Sequence, residues 1–361
     1  MENMSNHSSE RNIWLDEMKG LTIILVVLGH VLEGAIGKEI LRNSILAEFI
    51  DNSIGLFHMP LFFVLSGIAF SYLKDRIKIC KQCCNILILY FFWSIIMYVL
   101  KELFPSIVNV AYDDHILLCL FCKPISPYWY FLVLFDYYLI HSVLNRTNFC
   151  QRAELVFATI LSGIAPLFWT IGPDKLLSYV YRLTFNFIFF LLGTYLRKYS
   201  LDVPVSRMLK SVSKRRVVAV VLVLFAILIS LIGNCEKLFY IPFFKTFSVL
   251  CCLLLFLTGS YSLLCSEKNI RKWQGCISYF GNNVIYIYVL HNYLTVAIRV
   301  IYIRSGIILP DILYVSINLC ITIAVCCMVA EICKRVQILN VFFMPVKVLD
   351  SVKMKKTRGN D

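Results

Sequence analysis

The sequence has few charged residues and no long polar stretch. Asp, Glu, Lys and Arg make up 16% of its 361 residues, whereas soluble proteins carry about 25%. Hydrophobic residues make up 59%, and the mean hydropathy is +0.76. No polar segment between the apolar runs exceeds about 30 residues, which is too short for a second, soluble domain. These absences exclude an ordinary soluble enzyme and indicate a membrane protein.

Several targeting and metal-binding motifs are also missing. The first apolar run lacks a small-residue cleavage site and contains His30 and Glu33, so we expect a retained helix and not a signal peptide. No lipidation motif stands out at either end. The 15 cysteines include two clusters with metal-like spacing, but neither cluster supplies four ligands, and we predict no metal site.

The sequence does contain many apolar runs long enough to cross a bilayer, which takes about 17–25 residues per helix. Hydropathy predicts ten spans, near 20–36, 53–73, 84–100, 128–143, 154–170, 179–196, 217–233, 242–264, 276–303 and 312–333. We therefore predict an all-α, polytopic membrane protein of about ten transmembrane helices. The segment 101–127 contains a shorter apolar stretch, 116–122, which we expect either to re-enter the membrane or to cover a site.

The net charge of +13 is distributed in a way that indicates membrane orientation. With both termini inside, 25 of the 35 Lys and Arg residues fall in the inner segments and 7 in the outer segments. Basic residues flank transmembrane helices on the cytoplasmic side. The distribution therefore predicts an N-in, C-in topology and gives no reason to expect nucleic acid as a partner.

Four polar residues follow one face of the first predicted helix. Helical geometry places His30 about 20° around from Lys19 and about 16 Å farther along, with Asp16 and Glu33 on the same stripe. Because a charge at the bilayer centre costs about 2.5–3.5 kcal/mol, such a stripe is expected to face a protein interior or a water-filled path. We predict that His30 is a general base and that Glu33 orients it. The structural alternatives are an interhelical hydrogen bond of His30 and snorkelling of Lys19.

The second predicted span opens with the segment 57–67, FHMPLFFVLSG. His58 lies at a depth similar to that of the first histidine, and it is a candidate second base, substrate ligand or structural hydrogen-bond donor. Pro60 is expected in the first turn, where its missing N–H costs little. Ser66 and Gly67 offer a small surface for close helix packing, with a substrate contact or a nucleophile as the alternative for Ser66.

Other polar residues fall within or beside predicted spans. Arg182 is expected either to bind a pyrophosphate group or to pair structurally with Glu33 or Asp136. Trp129, at the outer boundary of the fourth span, is expected to anchor the helix at the interface or to stack against a sugar. His291, in the ninth span, is expected to make an interhelical hydrogen bond, with a role in the functional site as the alternative.

Two N-terminal segments, LDEMKGLTIILVVLGH (15–30) and FHMPLFFVLSG (57–67), together resemble the membrane acyltransferase-3 family, and more narrowly its fucose 4-O-acetylase-like members. Three later segments, PYWYFLVL, FFLLGTYL and GNNVIYIYVLH, are similar as well. The resemblance runs from about Leu15 to the last span. The family motif of a basic residue and a histidine separated by ten positions maps onto Lys19 and His30. Relatives often have arginine at the first position, and lysine lacks its bidentate geometry.

The resemblance implies an acyltransferase-3-type transmembrane domain at 12–340, with 1–11 and 341–361 as short cytoplasmic tails. It implies an O-acyltransferase of the bacterial inner membrane that moves an acyl group, usually acetyl, from cytoplasmic acyl-CoA to a hydroxyl of a cell-envelope glycan or lipid-linked sugar. Acetyl-CoA would be the donor substrate, with no permanently bound cofactor. The catalytic residues would be His30 and Glu33. The candidate substrate-binding residues are Lys19, Asp16, His58, Ser66, Arg182 and Trp129.

A transporter or flippase for a polysaccharide precursor is the alternative function. Such a protein would use the same polar stripe as a path for protons or substrate. The sequence leaves open the acceptor sugar, the position acylated and the choice between acetyl and another acyl group. It also leaves open whether the acyl group moves directly or through an acylated side chain, and how many copies of the chain assemble.

Overall fold

The computed structural model describes residues 13–73, 75–104, 115–147, 150–171, 175–198, 243–265, 271–336 and 338–349, together with the isolated positions 221, 224 and 241. Within these segments the regular structure is helical and contains no strand. In chain order the helices are α1 (Ile13–Ile36), α2 (Ser44–Phe70), α3 (Arg76–Leu103), α4 (Ile116–Phe121), α5 (Trp129–Arg146), α6 (Gln151–Ile171), α7 (Lys175–Lys198), α8 (Phe244–Cys265), α9 (Arg271–Asn282), α10 (Val284–Ser305) and α11 (Asp311–Arg335). A 3₁₀ helix, Leu339–Phe342, and a helical turn at 345–349 follow.

Six helices of the described segments are long and apolar enough to cross a membrane, namely α1, α2, α3, α7, α10 and α11. Three further predicted spans, 128–143, 154–170 and 242–264, coincide with α5, α6 and α8. The predicted span 217–233 lies outside the described residues except for positions 221 and 224. An all-helical chain with several membrane-spanning helices is therefore the architecture of the described segments.

The second helix begins earlier than hydropathy indicated. It starts at Ser44 and not near 53, and the side chain of Asn43 caps it by accepting the N–H of Leu46 at 3.1 Å. Pro60 consequently lies in the interior of the helix and not in its first turn. In the interior it removes one backbone hydrogen bond. The hydropathy estimate was wrong here because polar residues around position 52 lower the local average without interrupting the helix.

The ninth predicted span, 276–303, is two helices and not one. The first helix, α9, ends at Asn282, and α10 begins at Val284, with Asn283 between them. Gly281 lies against the backbone carbonyl of Asp16 in α1, so a side chain at this position would overlap it. The break falls here because asparagine side chains compete with the helix for backbone hydrogen bonds.

Glycines allow the closest helix contacts in the bundle. The most extensive packing joins α1 to α9 and α2 to α7. Gly67 of α2 lies against the carbonyl of Phe190 in α7, and Gly193 of α7 lies against the carbonyl of Val64 in α2. The predicted small packing surface at Gly67 is therefore confirmed. Contacts of this kind let membrane helices associate through van der Waals packing.

Aromatic side chains fill the middle of the bundle between α2, α5 and α7. Phe63, Tyr130, Tyr137 and Phe190 are all buried. The ring centroids of Phe63 and Tyr130 are 4.9 Å apart, and those of Tyr137 and Phe190 are 5.5 Å apart. Such contacts stabilise the bundle beyond the area that they bury.

The apolar stretch 116–122 forms the short helix α4 beside α3. The hydroxyl of Tyr90 in α3 donates to the carbonyl of Leu120 at 2.6 Å, and Cys119 and Leu120 are buried. Lys123, Pro124 and Ser126, which follow α4, line a cavity that His30 also lines. These contacts favour the prediction that the stretch 116–122 covers a site over the alternative that it re-enters the membrane.

Candidate functional site

His30 and Glu33 are the central pair of the candidate site. They lie three residues apart on α1, so their side chains occupy neighbouring positions on the helix surface. His30 Nδ1 is 2.9 Å from Glu33 Oε2. With Nδ1–H donating to the carboxylate, the ring is held in one orientation, and Nε2 is the nitrogen available to a substrate. Both side chains are partly exposed, which makes the pair accessible.

The pair opens onto a cavity of 690 Å³, called here the His30 cavity. Its walls come from the C-terminal ends of α1 and α3, from the middle and C-terminal part of α10, from the segment between α4 and α5, and from the N-terminal half of α7. Its volume falls within the range of about 300–1,000 Å³ that is usual for small-molecule sites. The polar and charged residues that line it are His30, Glu33, Lys101, Lys123, Ser126, Ser178, Tyr179, Arg182, Asn292, Tyr293 and Arg299.

His291 of α10 packs directly against His30, with their ring centroids 5.0 Å apart. Its Nδ1 donates to the carbonyls of Tyr288 and Ile287, at 2.7 and 3.1 Å. These bonds lie within its own helix, so the expected interhelical hydrogen bond is wrong. The ring is fully buried, and Nε2 has no hydrogen-bond partner among the described residues. His291 thus holds one face of the catalytic candidate through ring packing.

Arg299 is a charged residue of the same cavity to which the sequence assigned no role. It is buried, and it acts electrostatically on Glu33 together with Lys101. A methyl group added at Gly34 of α1 would overlap the Arg299 guanidinium. Gly34, one position after Glu33, therefore makes room for this arginine.

The side chains of Arg182 and Trp129, which are far apart in the sequence, lie in contact. The Arg182 guanidinium carbon is 4.5 Å from the centroid of the Trp129 ring, a cation–π distance. The face of Trp129 that was predicted to stack against a sugar is thus in contact with a guanidinium. Asp136, the proposed ionic partner of Arg182, accepts a short hydrogen bond from the Tyr179 hydroxyl. Of these residues, Tyr179 and Arg182 line the His30 cavity.

His58 and Ser66 do not line the His30 cavity. His58 Nδ1 donates to the carbonyl of Ile54 at 2.7 Å within its own helix. The Ser66 and Tyr130 hydroxyls form a hydrogen bond of 2.6 Å between α2 and α5. These contacts agree with the structural alternatives for both residues, and the predicted substrate roles remain predictions.

Lys19 and Asp16 also lie apart from the cavity. They are about three to four turns further toward the N-terminus of α1 than His30, where this helix crosses α9, and neither lines the His30 cavity. Gly20, beside Lys19, lies against the carbonyl of Ile277 in α9, which leaves no space between the backbones there. Of the four residues of the polar stripe on α1, His30 and Glu33 line the cavity, and Lys19 and Asp16 do not.

A second cavity, called here the His141 cavity, lies at the opposite ends of α2, α3, α5 and α7 and has a volume of 1220 Å³. His141 Nδ1, on its wall, is 2.8 Å from Glu154 Oε1, and both side chains are buried. Cysteines 80, 83 and 84 of the first metal-like cluster also line it. Its basic lining residues are Arg76, Arg146, Arg197 and Lys198.

The residues that sequence reasoning missed come from segments far apart in the chain. Lys101 and Lys123 were counted only among the basic residues of the outer segments, and Asn292 was given no role. For Arg299 a signal did exist, because an arginine inside a predicted span is expensive in hydrocarbon and marks a functional or paired site. For the two lysines no local pattern distinguishes a cavity residue from a loop residue.

Multiple apolar helices and a histidine–carboxylate pair at a cavity define a class of membrane protein suited to acid–base chemistry. The sequence matches the model of a family described as an acyltransferase domain over residues 12–331. The chain therefore belongs to the acyltransferase-3 family. This agrees with the resemblance noted in its first two helices.

Two curated relatives carry the name Nodulation protein NolL. The protein of Sinorhizobium fredii (strain NBRC 101917 / NGR234) is 28% identical over 178 residues, which cover 48% of this chain and 47% of the relative. The protein of Mesorhizobium japonicum (strain LMG 29417 / CECT 9101 / MAFF 303099) is 27% identical over 186 residues, which cover 48% of this chain and 46% of the relative. The chain matches about half the length of these relatives. No solved structure is detectably similar.

Proposed function

We propose that this protein is an O-acetyltransferase that moves an acetyl group from cytoplasmic acetyl-CoA to a hydroxyl of a cell-envelope sugar. The observation that carries the proposal is the hydrogen-bonded His30–Glu33 pair facing the 690 Å³ cavity. The family match supports acyl transfer, and the pair supplies the acid–base group that this reaction needs. A capsule, O-antigen or exopolysaccharide unit, or its lipid-linked precursor, is the proposed acceptor.

In the proposed topology about ten helices span the bacterial inner membrane with both termini in the cytoplasm. The distribution of Lys and Arg along the sequence supports this orientation. The His141 cavity then opens toward the cytoplasm and the His30 cavity toward the outside. The basic residues of the inner cavity, and not Lys19, are the proposed contacts for the phosphates of acetyl-CoA.

The acetyl group must cross the layer between the two cavities. On α3 the inner cavity extends to Leu87 and the outer cavity begins at Met97, which is about 15 Å along a helix. With its nucleotide on the inner basic residues, acetyl-CoA would extend its thioester arm over this distance toward His30. Buried aromatic side chains such as Tyr90 lie in this stretch and keep bulk water from joining the two cavities.

The proposed chemistry is a direct acyl transfer. His30 Nε2 takes the proton of the sugar hydroxyl as the oxygen attacks the thioester carbonyl, and Glu33 stabilises the imidazolium that results. Collapse of the tetrahedral intermediate breaks the carbon–sulfur bond, and the imidazolium returns the proton to the thiolate of CoA. A two-step route through an acylated side chain satisfies the same proton balance.

Membranes that contain the protein, incubated with acetyl-labelled acetyl-CoA, test the proposal. We expect label in the glycan, and a loss of about 10²–10⁴-fold in transfer for His30→Ala, because this is the usual contribution of a general base. His115→Ala changes an exposed histidine that lines neither cavity and should transfer normally. Immunoblotting verifies equal membrane levels of the variants.

Two outcomes would contradict the proposal. Normal transfer by His30→Ala would remove this residue from the mechanism. A deletion strain whose glycan keeps its acetyl content but is exported at a lower level would identify a transporter or flippase instead. Mass spectrometry of surface glycans measures the first property, and the amount of surface glycan measures the second.

A further inference from the structure

We propose that the seam between α3 and α5 binds the pantetheine arm of the acyl-CoA donor, with the hydroxyls of Ser94 and Ser142 as its hydrogen-bond partners. The proposal rests on the function proposed above. It specifies the path of the donor between the two cavities and the side chains that hold it there.

One stripe of α3 joins the two cavities. Its residues are spaced alternately by four and three positions, so they follow one another along one side of the helix. From the N-terminal end of α3 they are Cys83, Leu87, Tyr90, Ser94, Met97 and Lys101. The first two line the His141 cavity, and the last two line the His30 cavity. The middle two therefore lie on the direct line along α3 between the cavities.

The α5 helix forms the opposite side of the seam. It packs extensively against α3. Where the seam meets the His141 cavity, Leu87 of α3 and Tyr138 and Ser142 of α5 all line that cavity. The seam thus leads from the proposed nucleotide site toward the His30 cavity.

Two buried hydroxyl groups in the seam have no hydrogen-bond partner among the described residues, namely Ser94 Oγ and Ser142 Oγ. The Ser94 side chain is fully buried, and Ser142 belongs to the wall of the His141 cavity. A serine hydroxyl in a helix commonly bonds to a carbonyl of the preceding turn, and a buried polar group without a partner is costly. These two positions are therefore places where a ligand can supply the missing hydrogen bonds.

The pantetheine arm of coenzyme A has the chemistry to supply them. It is a narrow chain with two amide groups, and each amide has one N–H donor and one carbonyl acceptor. A serine hydroxyl both donates and accepts, so it can bond to either side of an amide. An arm that crosses between apolar helices needs such partners, because its amides leave water when they enter the seam.

Tyr90 closes the seam while no donor is bound. Its side chain is fully buried on the stripe between Leu87 and Ser94, and its hydroxyl donates to the carbonyl of Leu120 at 2.6 Å. Leu120 belongs to α4, a helix of six residues. The Tyr90 ring must therefore move aside when the arm binds.

Two probes separate binding of the arm from binding of the nucleotide. The full-length protein in lipid nanodiscs would be titrated with coenzyme A and with adenosine 3′,5′-bisphosphate, which lacks the arm. We expect Ser94→Ala and Ser142→Ala each to weaken coenzyme A binding about fivefold or more, because each leaves an amide of the arm without a partner. The double variant should bind more weakly than either single variant. The affinity for the bisphosphate should stay unchanged in all three.

Thermal unfolding distinguishes this role from a structural one. Because the two hydroxyls have no partner, the alanine variants should unfold at the same temperature as the wild type or at a higher one. Ser142→Thr keeps the hydroxyl and should bind coenzyme A more tightly than Ser142→Ala. Ser53→Ala is the matched control, since its hydroxyl bonds to the carbonyl of Phe49 in its own helix and it lines neither cavity. It should bind both probes normally.

Three results would overturn the proposal: unchanged coenzyme A affinity in the double variant, an equal loss of affinity for the bisphosphate, or a lower unfolding temperature in both alanine variants. These outcomes differ from a failure of the proposed function. A double variant that still acetylates glycan and binds coenzyme A normally refutes the path alone. Serine-dependent binding of coenzyme A without acetyl transfer supports the path and refutes the reaction.

Discussion

The protein contains two histidine–glutamate pairs with nearly equal geometry and opposite surroundings. The Nδ1–carboxylate distance is 2.9 Å for His30 and Glu33 and 2.8 Å for His141 and Glu154. The side chains of the first pair are 22% and 64% exposed, and those of the second pair are 9% and 2% exposed. The first pair is thus partly exposed, while the same chemical pair elsewhere is buried.

The second difference is what each pair connects. His30 and Glu33 belong to one turn of α1, so their hydrogen bond does not link two helices. His141 belongs to α5 and Glu154 to α6, and their buried bond ties these helices. A buried, satisfied polar pair contributes mainly to structure, and its disruption leaves an unpaired polar group. Exposure and connectivity, and not the residue types, distinguish a catalytic candidate from a structural link.

Removing the carboxylate from each pair gives the sharpest test of this comparison and the largest expected effect. Glu33→Ala should lower acyl transfer about tenfold to a hundredfold, because it deletes a hydrogen bond to a charged group, without lowering the unfolding temperature. Glu154→Ala should lower the free energy of unfolding by about 1–3 kcal/mol and leave transfer per folded molecule unchanged. Labelled acetyl-CoA assays and thermal unfolding in detergent measure the two effects. The opposite pattern would reverse the two roles.

A change next to the open pair should have an intermediate effect. Gly34→Ala places a methyl group where the Arg299 guanidinium lies, and displacing a packed side chain costs about 1–3 kcal/mol, so we expect transfer to fall about tenfold. Gly55→Ala is the matched control, since a methyl group there meets nothing within 4 Å. It should keep full transfer and gain up to about 1 kcal/mol of stability as a helical alanine. Full transfer by Gly34→Ala would show that the arginine's position is unimportant.

The smallest effect on transfer is expected at Ser66. Its hydroxyl bonds to Tyr130 at 2.6 Å, so Ser66→Ala should keep transfer within about twofold and cost about 1–3 kcal/mol of unfolding free energy. Tyr130→Phe should cost a similar amount, and the double variant should cost less than the sum. A hundredfold loss of transfer in Ser66→Ala would instead identify the serine as an acylated nucleophile.

Much of the first helix could be predicted from sequence because its key features are local. His30 and Glu33 lie three residues apart, and any helix brings such residues together. The same reasoning grouped Lys19 with them. However, the angular position of a residue on a helix does not indicate which neighbouring helix packs against it. α9 packs closely against the turn at Lys19, while the cavity opens at the turn that carries His30.

The errors along the chain have a common physical origin. Averaging hydropathy along the sequence placed the start of α2 too late and joined α9 to α10, because it does not detect the Asn43 cap or the close approach at Gly281. The interhelical bond expected for His291 was wrong because its Nδ1 found carbonyls in its own helix. Each of these features depends on the geometry of one hydrogen bond or one backbone contact.

The sequence by itself determined that this is a helical membrane protein of the acyltransferase-3 family with a polar stripe on its first helix. These properties follow from apolar run length, from short motifs and from helical spacing, all of which act over a few residues to a few turns. Only the tertiary structure decided that Lys101, Lys123, Arg182 and Arg299 line the same cavity as His30, and that a second histidine–glutamate pair is buried between two helices. Those arrangements depend on which helices become neighbours, and that is set by packing among segments distant in the chain.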